Sequence, residues 1–284
     1  MLEPSLPPLA DPGTPRSGLY VFCLAPAEVA VPEAPGLTAD TQLERLTAGG
    51  LAAVVCRVPL EQWTGPDAEA RLRDLNWLGP RAVRHEAVIE LVMAGGPVLP
   101  LRFGSLFSSA ASLTAWLTAE AGPIQAFFAE SAAFEEWSLK GWLAAAPAEA
   151  AMVADDPRFK ALPASPGARY LLEQKLRKDI ARSVRTWARG LEQQVLAELR
   201  GLVARTRALR SLAGEVSGRT EEVMFHQALL VPRPGRQELI DKVTELDRGL
   251  QGRGLTLELT GPWPLYSFAP ALAAAAGAEE EPRG

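Results

Sequence analysis

Apolar residues recur along this chain in two rhythms, short unbroken runs and long stripes with steps of three and four. In the first half, LYVFCLA (19–25) and LAAVVCRV (51–58) are short apolar runs rich in aromatic and β-branched residues, which predicts two buried strands. The second is introduced by a turn at Gly49-Gly50. DAEARLRDLNWL (67–78) is patterned as a helix, with Pro66 suited to its first turn. Gly79-Pro80 interrupts that pattern, and RAVRHEAVIELVMA (81–94) resumes it until Gly95-Gly96. VLPLRF (98–103) is expected to form a third strand, and residues 108–131 to be mostly helical.

The second half is more regular. FEEWSLKGWLA (134–144) alternates, with Trp137, Leu139 and Gly141 on one side and Glu136, Ser138, Lys140 and Trp142 on the other. A loop holding Asp155-Asp156-Pro157 and Pro163 to Pro166 leads into a long helix over about 167–201. Its stripe runs Leu172, Leu176, Ile180, Val184, Trp187, Leu191, Val195 and Leu199, with most of the basic residues off it. ARTRALR (204–210) and VMFHQALLV (223–231) are expected strands, RQELIDKVTELDRGLQ (236–251) a second helix, and GLTLELTG (254–261) a final strand. The order β-α-β-β-α-β is the ferredoxin-like pattern, two helices covering one face of a four-stranded antiparallel sheet. The expected fold class is therefore α+β in two domains. A flexible leader (1–17) precedes an N-terminal domain with a small mixed sheet and helices (18–132), then a ferredoxin-like C-terminal domain (133–268) and a flexible tail (269–284).

Composition narrows the function classes. The formal net charge of −5 gives no global attraction to nucleic acid or to an anionic membrane. No uncharged apolar run reaches about 18 residues, so no membrane span is expected. The N-terminus lacks the basic and apolar regions of a signal peptide, which points to the cytoplasm. Cys23 and Cys56 both lie in apolar runs and are read as small core side chains rather than a disulfide or a metal pair.

Candidate chemistry is sparse. His85-Glu86 begins like a zinc-protease helix, but position 89 is Ile, and the other histidine, His226, lies in the other expected domain. His85 is in register with Val88, Ile89 and Val92, so it is read as a core or boundary residue. Asp155-Asp156 supplies too few ligands for a cation. Ser105, Ser108 and Ser109 stand in no nucleophile elbow and are read as helix-capping residues. No phosphate-binding glycine loop is present. The basic face of the long helix, diluted by Glu173, Asp179 and Glu192, is read as solvated. Arg102, at the end of LPLRFG, is expected to pair with Glu86 or Glu90 and pin helix to sheet, or else to meet a partner. No cofactor, metal or catalytic group is predicted.

RAVRHEAVIELVMAGGPVLPLRFGSLF (81–107) closely resembles the signature of the gas vesicle protein F/L family. Further segments agree in order: YVF, AVVCRVPLEQW, DLNWL, SPGARYLLEQKLRKD and TGPWPLYSF, together spanning about residues 18–268. The Pro-rich leader, the Gly79-Pro80 break and the Ala/Glu tail depart from the pattern. The resemblance implies a cytoplasmic, non-enzymatic accessory protein of gas vesicle formation with an N-terminal domain of its own type and a ferredoxin-like C-terminal domain. It further implies association with the apolar shell protein during vesicle nucleation, and with other accessory proteins. A shell protein presenting an apolar face to gas would aggregate before assembly unless covered. The contact is expected around Arg102, Phe103, Phe107, Trp116, Phe127 and Phe128. A ligand-sensing ferredoxin-like regulatory module is the alternative from another class. A hydrolase is disfavoured because both a suitably placed base and the spacing of metal ligands are missing.

Overall fold

The computed structural model describes residues 16–65, 67–210 and 220–273. Most of the expected leader and tail, and Pro66, lie outside these residues. The fold is mixed α+β with two antiparallel sheets, and the chain divides into two compact units. One unit runs through Ala132 and includes the segment from Pro264 onward; the other is Ala133–Trp263. The segment 264–268 thus belongs with the first unit, whereas the expected C-terminal domain ran to 268.

The first unit is built on β1 (Ser17–Pro26), whose eight residues Gly18 to Ala25 are buried. Next come β2 (Glu44–Ala48) and β3 (Leu51–Pro59), which pair through a two-residue turn. Gly49 and Gly50 stand there at φ of 59° and 75°, a conformation that disfavours any residue with a Cβ. Helices α1 (Ala68–Arg73) and α2 (Leu75–Met93) follow, then the two-residue strands β4 (Leu99–Pro100) and β5 (Leu106–Phe107), and then α3 (Ala110–Ala119) and α4 (Ala121–Ser131). The sheet order is β2-β3-β1-β4, and β5 also pairs with β1.

Two expectations are corrected here. The break between helices falls at Asp74, whose extended backbone ends α1 and whose carboxylate accepts the Asn76 N–H to start α2. Gly79-Pro80 lies inside α2; proline removes a single N–H there, on an exposed part of the helix. The expected strand 98–103 is cut short at Pro100, because residues 101–105 leave the sheet as a loop. That loop is tied to β1 at both ends, by Leu101 N–H to the Phe22 carbonyl (3.0 Å) and Val21 N–H to the Ser105 carbonyl (2.9 Å).

The second unit contains β6 (Phe134–Leu143), α5 (Ala145–Asp155), α6 (Pro157–Lys160), α7 (Pro166–Glu198), β7 (Arg205–Ala208), β8 (Glu222–Pro232), α8 (Arg236–Gln251) and β9 (Leu255–Trp263). The sheet order is β7-β8-β6-β9, all pairs antiparallel. Helices α5 and α6 occupy most of what was expected to be loop. The α7 residues Ile180, Val184, Ala188, Leu191 and Val195 are buried and share one core with Leu139, Leu143, Phe225, Leu229, Leu255 and Leu257 from the sheet. Each such aliphatic side chain contributes roughly 1.5–3 kcal/mol. Gly141 sits opposite Phe225, and a Cβ there would come within 2.2 Å of the ring, so the glycine makes room for the aromatic.

Candidate functional site

Several segments of the resemblance, far apart in sequence, meet in the first unit around His85, while SPGARYLLEQKLRKD lies at the start of α7 in the second. Helix α2 buries His85 beside Val88, Ile89 and Val92, and β1 brings Tyr20 and Phe22 to it. Tyr20 Oη lies 2.8 Å from His85 Nδ1, and His85 Nε2 lies 3.2 Å from the Leu101 carbonyl. A carbonyl only accepts, so Nε2 carries the proton, Nδ1 accepts, and the Tyr20 hydroxyl donates. The Tyr20 oxygen in turn accepts from the Gly104 N–H at 3.3 Å. Gly104 adopts φ of 86°, which allows the loop to turn back over the phenol. Burial lowers the His85 pKa to about 4 and pushes the Tyr20 phenol well above its ordinary range. Both groups are neutral around pH 7 and spend their polar atoms holding the 101–104 loop.

Aromatic rings close the cluster. Phe103 packs within 6 Å of Tyr20, Trp63 and His85, and Trp63 lies 5.0 Å from Trp77 in an edge-on pair. Tyr266 donates to the Glu86 carboxylate at 2.9 Å, so the PLYSF segment is tied to the outer side of the same helix. Burial raises the Glu86 pKa, and burial together with the Glu86 charge raises that of Tyr266.

The six expected contact residues occupy four places. Arg102 is exposed at the tip of the loop; among the described residues it forms no ion pair with Glu86 or Glu90, which corrects the expected pin between helix and sheet. Its carbonyl instead accepts from both the N–H and the hydroxyl of Ser105. Phe103 is half-buried in the His85 cluster. Phe107 is buried on β5, with its ring 5.3 Å from Trp116. Trp116 is half-buried, and its indole N–H donates to the Ala273 carbonyl at 3.0 Å. Phe127 and Phe128 form a separate buried pair on α4. The structure therefore joins Phe107 to Trp116 but gathers neither Phe103 nor the α4 pair with them.

The remaining candidates have local tasks. Asp156 caps α6 and binds Arg158, whose hydrogen bonds lower its pKa. Ser109 and Ser112 form a capping box on α3. His226, across the second sheet from Lys140, bonds Ser138 at 2.8 Å. Its pKa is lowered by burial and by the Lys140 charge. Glu135, buried at the start of β6, accepts from Arg233 (3.2 Å) and from Arg236, fixing the start of α8 to the sheet. A cleft of about 460 Å³ between α5 and α7 is lined by Met152, Arg158, Ile180, Trp187 and Arg253. Among the described residues no three His, Cys, Asp or Glu side chains group as a metal site, and no helix is long and apolar enough to cross a membrane.

The sequence matches the family described as "Gas vesicle synthesis protein GvpL/GvpF" over residues 18–270. The chain belongs to this family. Among its relatives, gas vesicle protein L of Streptomyces sp. (strain CB03234) is 28% identical over 253 residues, covering 88% of this chain and 92% of that one. Gas vesicle protein L2 of Halobacterium salinarum (strain ATCC 700922 / JCM 11081 / NRC-1) is 27% identical over 267 residues, covering 89% and 91%. The crystal structure of the gas vesicle protein GvpF from Anabaena sp. PCC7120 superposes with a TM-score of 0.65 at 18% identity, covering 90% of this chain and 99% of that one. The GvpF structure from Microcystis aeruginosa gives 0.60 at 18% identity, covering 89% and 99%. These two structures show a shared fold. Membership in the GvpL/GvpF family assigns the chain to gas vesicle formation.

Position-by-position reading of the sequence missed Tyr20, Trp63, Trp77 and Tyr266. Each lies in a segment already singled out by the resemblance, and that shared membership was the signal available.

Proposed function

We propose that this chain is a non-enzymatic assembly factor that binds the apolar shell protein of the gas vesicle and limits its aggregation during nucleation. It acts in the cytoplasm, in association with the vesicle and its other accessory proteins. The observation that carries this reading is family membership over residues 18–270. The chemistry of the His85 cluster supports it, because the buried imidazole and phenol are neutral and consumed by structural hydrogen bonds. The strand order β7-β8-β6-β9, with α7 and α8 sharing the core of the sheet, supports reading the second unit as a ferredoxin-like domain. Its edge strand β7 is short, and the exposed Arg205 and Arg207 disfavour further strand pairing there.

Of the six expected contact residues, Arg102 and Trp116 have surface to offer a partner, and they remain the proposed contacts. Phe107 packs against Trp116 from within, and Phe103 is half-buried in the His85 cluster beneath the loop that carries Arg102. Phe127 and Phe128 are buried elsewhere, on α4. The test is co-purification with the shell protein, using Arg102→Ala and Trp116→Ala variants whose circular dichroism is native. Retention of shell protein by the wild type, reduced several-fold in these variants, is expected. A wild-type chain that retains no shell protein contradicts the function, and unchanged retention by both variants contradicts the contacts.

A further inference from the structure

Most large apolar side chains of the first unit are inside it, but α2 carries three on its outer surface. Leu75, Val83 and Leu91 are 78%, 72% and 43% exposed. They stand at steps of four with Gly79 and Ala87, a row that turns about 40° around the axis at each step. It therefore winds obliquely over the 19-residue helix, with Val83 between Gly79 and Ala87 at its middle. Such a row, large side chains separated by small ones, is the relief that another helix packs against when ridges enter grooves. A Cβ placed on Gly79 would meet nothing within 4 Å, so the gap beside Val83 is open.

The charge beside this row has one sign. Glu86 and Glu90, three residues on from Val83 and Ala87, form the adjoining row, and both are exposed. The arginines of α2 do not offset them. Arg84 is turned to the Gly36 carbonyl (3.0 Å) and the Pro35 carbonyl, and Arg81 lies over the Trp77 ring at 4.1 Å and donates to its carbonyl at 2.9 Å. Glu86 is held by Tyr266, while Glu90 has no side-chain hydrogen bond or ion pair among the described residues.

We propose that this row is a docking surface for an amphipathic helix whose apolar stripe is bordered by lysine or arginine. The apolar stripe packs across Val83 and its neighbours, and the basic border meets Glu86 and Glu90. The electrostatic pairing selects the partner and sets its direction, while the apolar contact supplies most of the hold. Placing this helix on the shell protein, or on a second accessory protein, rests on the function proposed above; the surface itself does not.

Two synthetic helical peptides with the same leucine-alanine stripe, one bordered by lysine and one by glutamate, test the assignment by fluorescence polarisation on the full chain. The lysine-bordered peptide is expected to bind about tenfold tighter than its counterpart. Val83→Gln with Leu91→Gln removes that binding by about tenfold or more, and Glu90→Lys abolishes the preference between peptides. Tyr170→Gln with Leu171→Gln, on the exposed start of α7, leaves it unchanged. Equal binding of both peptides, or an undiminished affinity in the Val83/Leu91 variant, overturns the proposal. So does sedimentation showing that wild-type copies occupy the row themselves, with association lost in that variant. A parallel pull-down of purified shell protein separates the two claims. Equal retention by wild type and the Val83/Leu91 variant removes the surface and keeps the function. No retention by wild type, with the peptide results as expected, removes the function and keeps the surface.

Discussion

The two units are held together by different kinds of contact. The second is a periodic apolar core: a 33-residue helix lays one stripe on a sheet whose facing residues are Leu139, Leu143, Phe225, Leu229 and Leu257. The first also has an apolar core, with Phe22, Val54, Val88, Ile89 and Val92 in it, and adds a chain of hydrogen bonds through its centre. His85 and Tyr20 join a helix, a strand and a loop that are 65 and 84 residues apart along the chain. An apolar core tolerates shape-preserving exchange, because contact is spread over many atoms. A buried hydrogen-bond chain does not, because removing one member leaves its neighbours unsatisfied.

The largest effect should come from the second unit. Leu139→Ala deletes a wholly buried side chain and is expected to cost about 3–4 kcal/mol. Hydrogen exchange should show that loss in β6, β8 and β9 amides, with the amides of β1 and β3 unaffected. An equal loss in both sets would mean that the units do not unfold separately.

Acid should weaken the first unit through His85 and, with the same sign, the second through His226, whose pKa burial also lowers. The unfolded chain binds a proton on His85 near pH 6.5, the folded chain only near 4. Between these values the unfolded state holds more protons, so stability is full above about 6.5 and falls as the pH drops toward 4. The His85 contribution to that fall is on the order of 3 kcal/mol. Urea unfolding at pH 7, 5.5 and 4.5, followed by exchange at β1 amides, measures it. His85→Gln should flatten the dependence, and a dependence that persists would assign it to other groups.

A smaller loss is expected from Tyr20→Phe. The ring stays among Phe22, Trp63 and Phe103, but His85 Nδ1 loses its donor and the Gly104 N–H its acceptor. About 2 kcal/mol should go, with faster exchange at Gly104 before any change in β6. An intact Gly104 amide would show that the loop is held by its backbone bonds to β1 alone.

The same contrast governs how much could be read from the sequence. The α7 stripe was legible because its steps of four and three persist from Leu176 to Val195, and α8 was bounded at 236 and 251, as found. Leu172 belongs to the same row but is 40% exposed, so periodicity did not show where the covering sheet stops. Helix α5 was missed because AAPAEAAMVAD offers little contrast between faces. Strand β2, five residues at a sheet edge, gave too short an alternation. The helix break at Asp74 was hidden behind the louder Gly79-Pro80 pair. The His85 cluster was legible only as isolated pieces: His85 itself reads as a core residue from its register, but nothing local places Tyr20, Gly104 or Tyr266 beside it. The aromatic residues after LPLRFG were visible as a group in sequence, yet the fold sends Phe103, Phe107 and the α4 pair to separate places.

Light scattering of the shell protein, diluted from denaturant into buffer with and without an equimolar amount of this chain, tests the central claim most directly. The account predicts that scattering is suppressed and that the two proteins elute together in one soluble complex. Scattering that rises at the same rate with the chain present, and a chain that elutes alone, would contradict it.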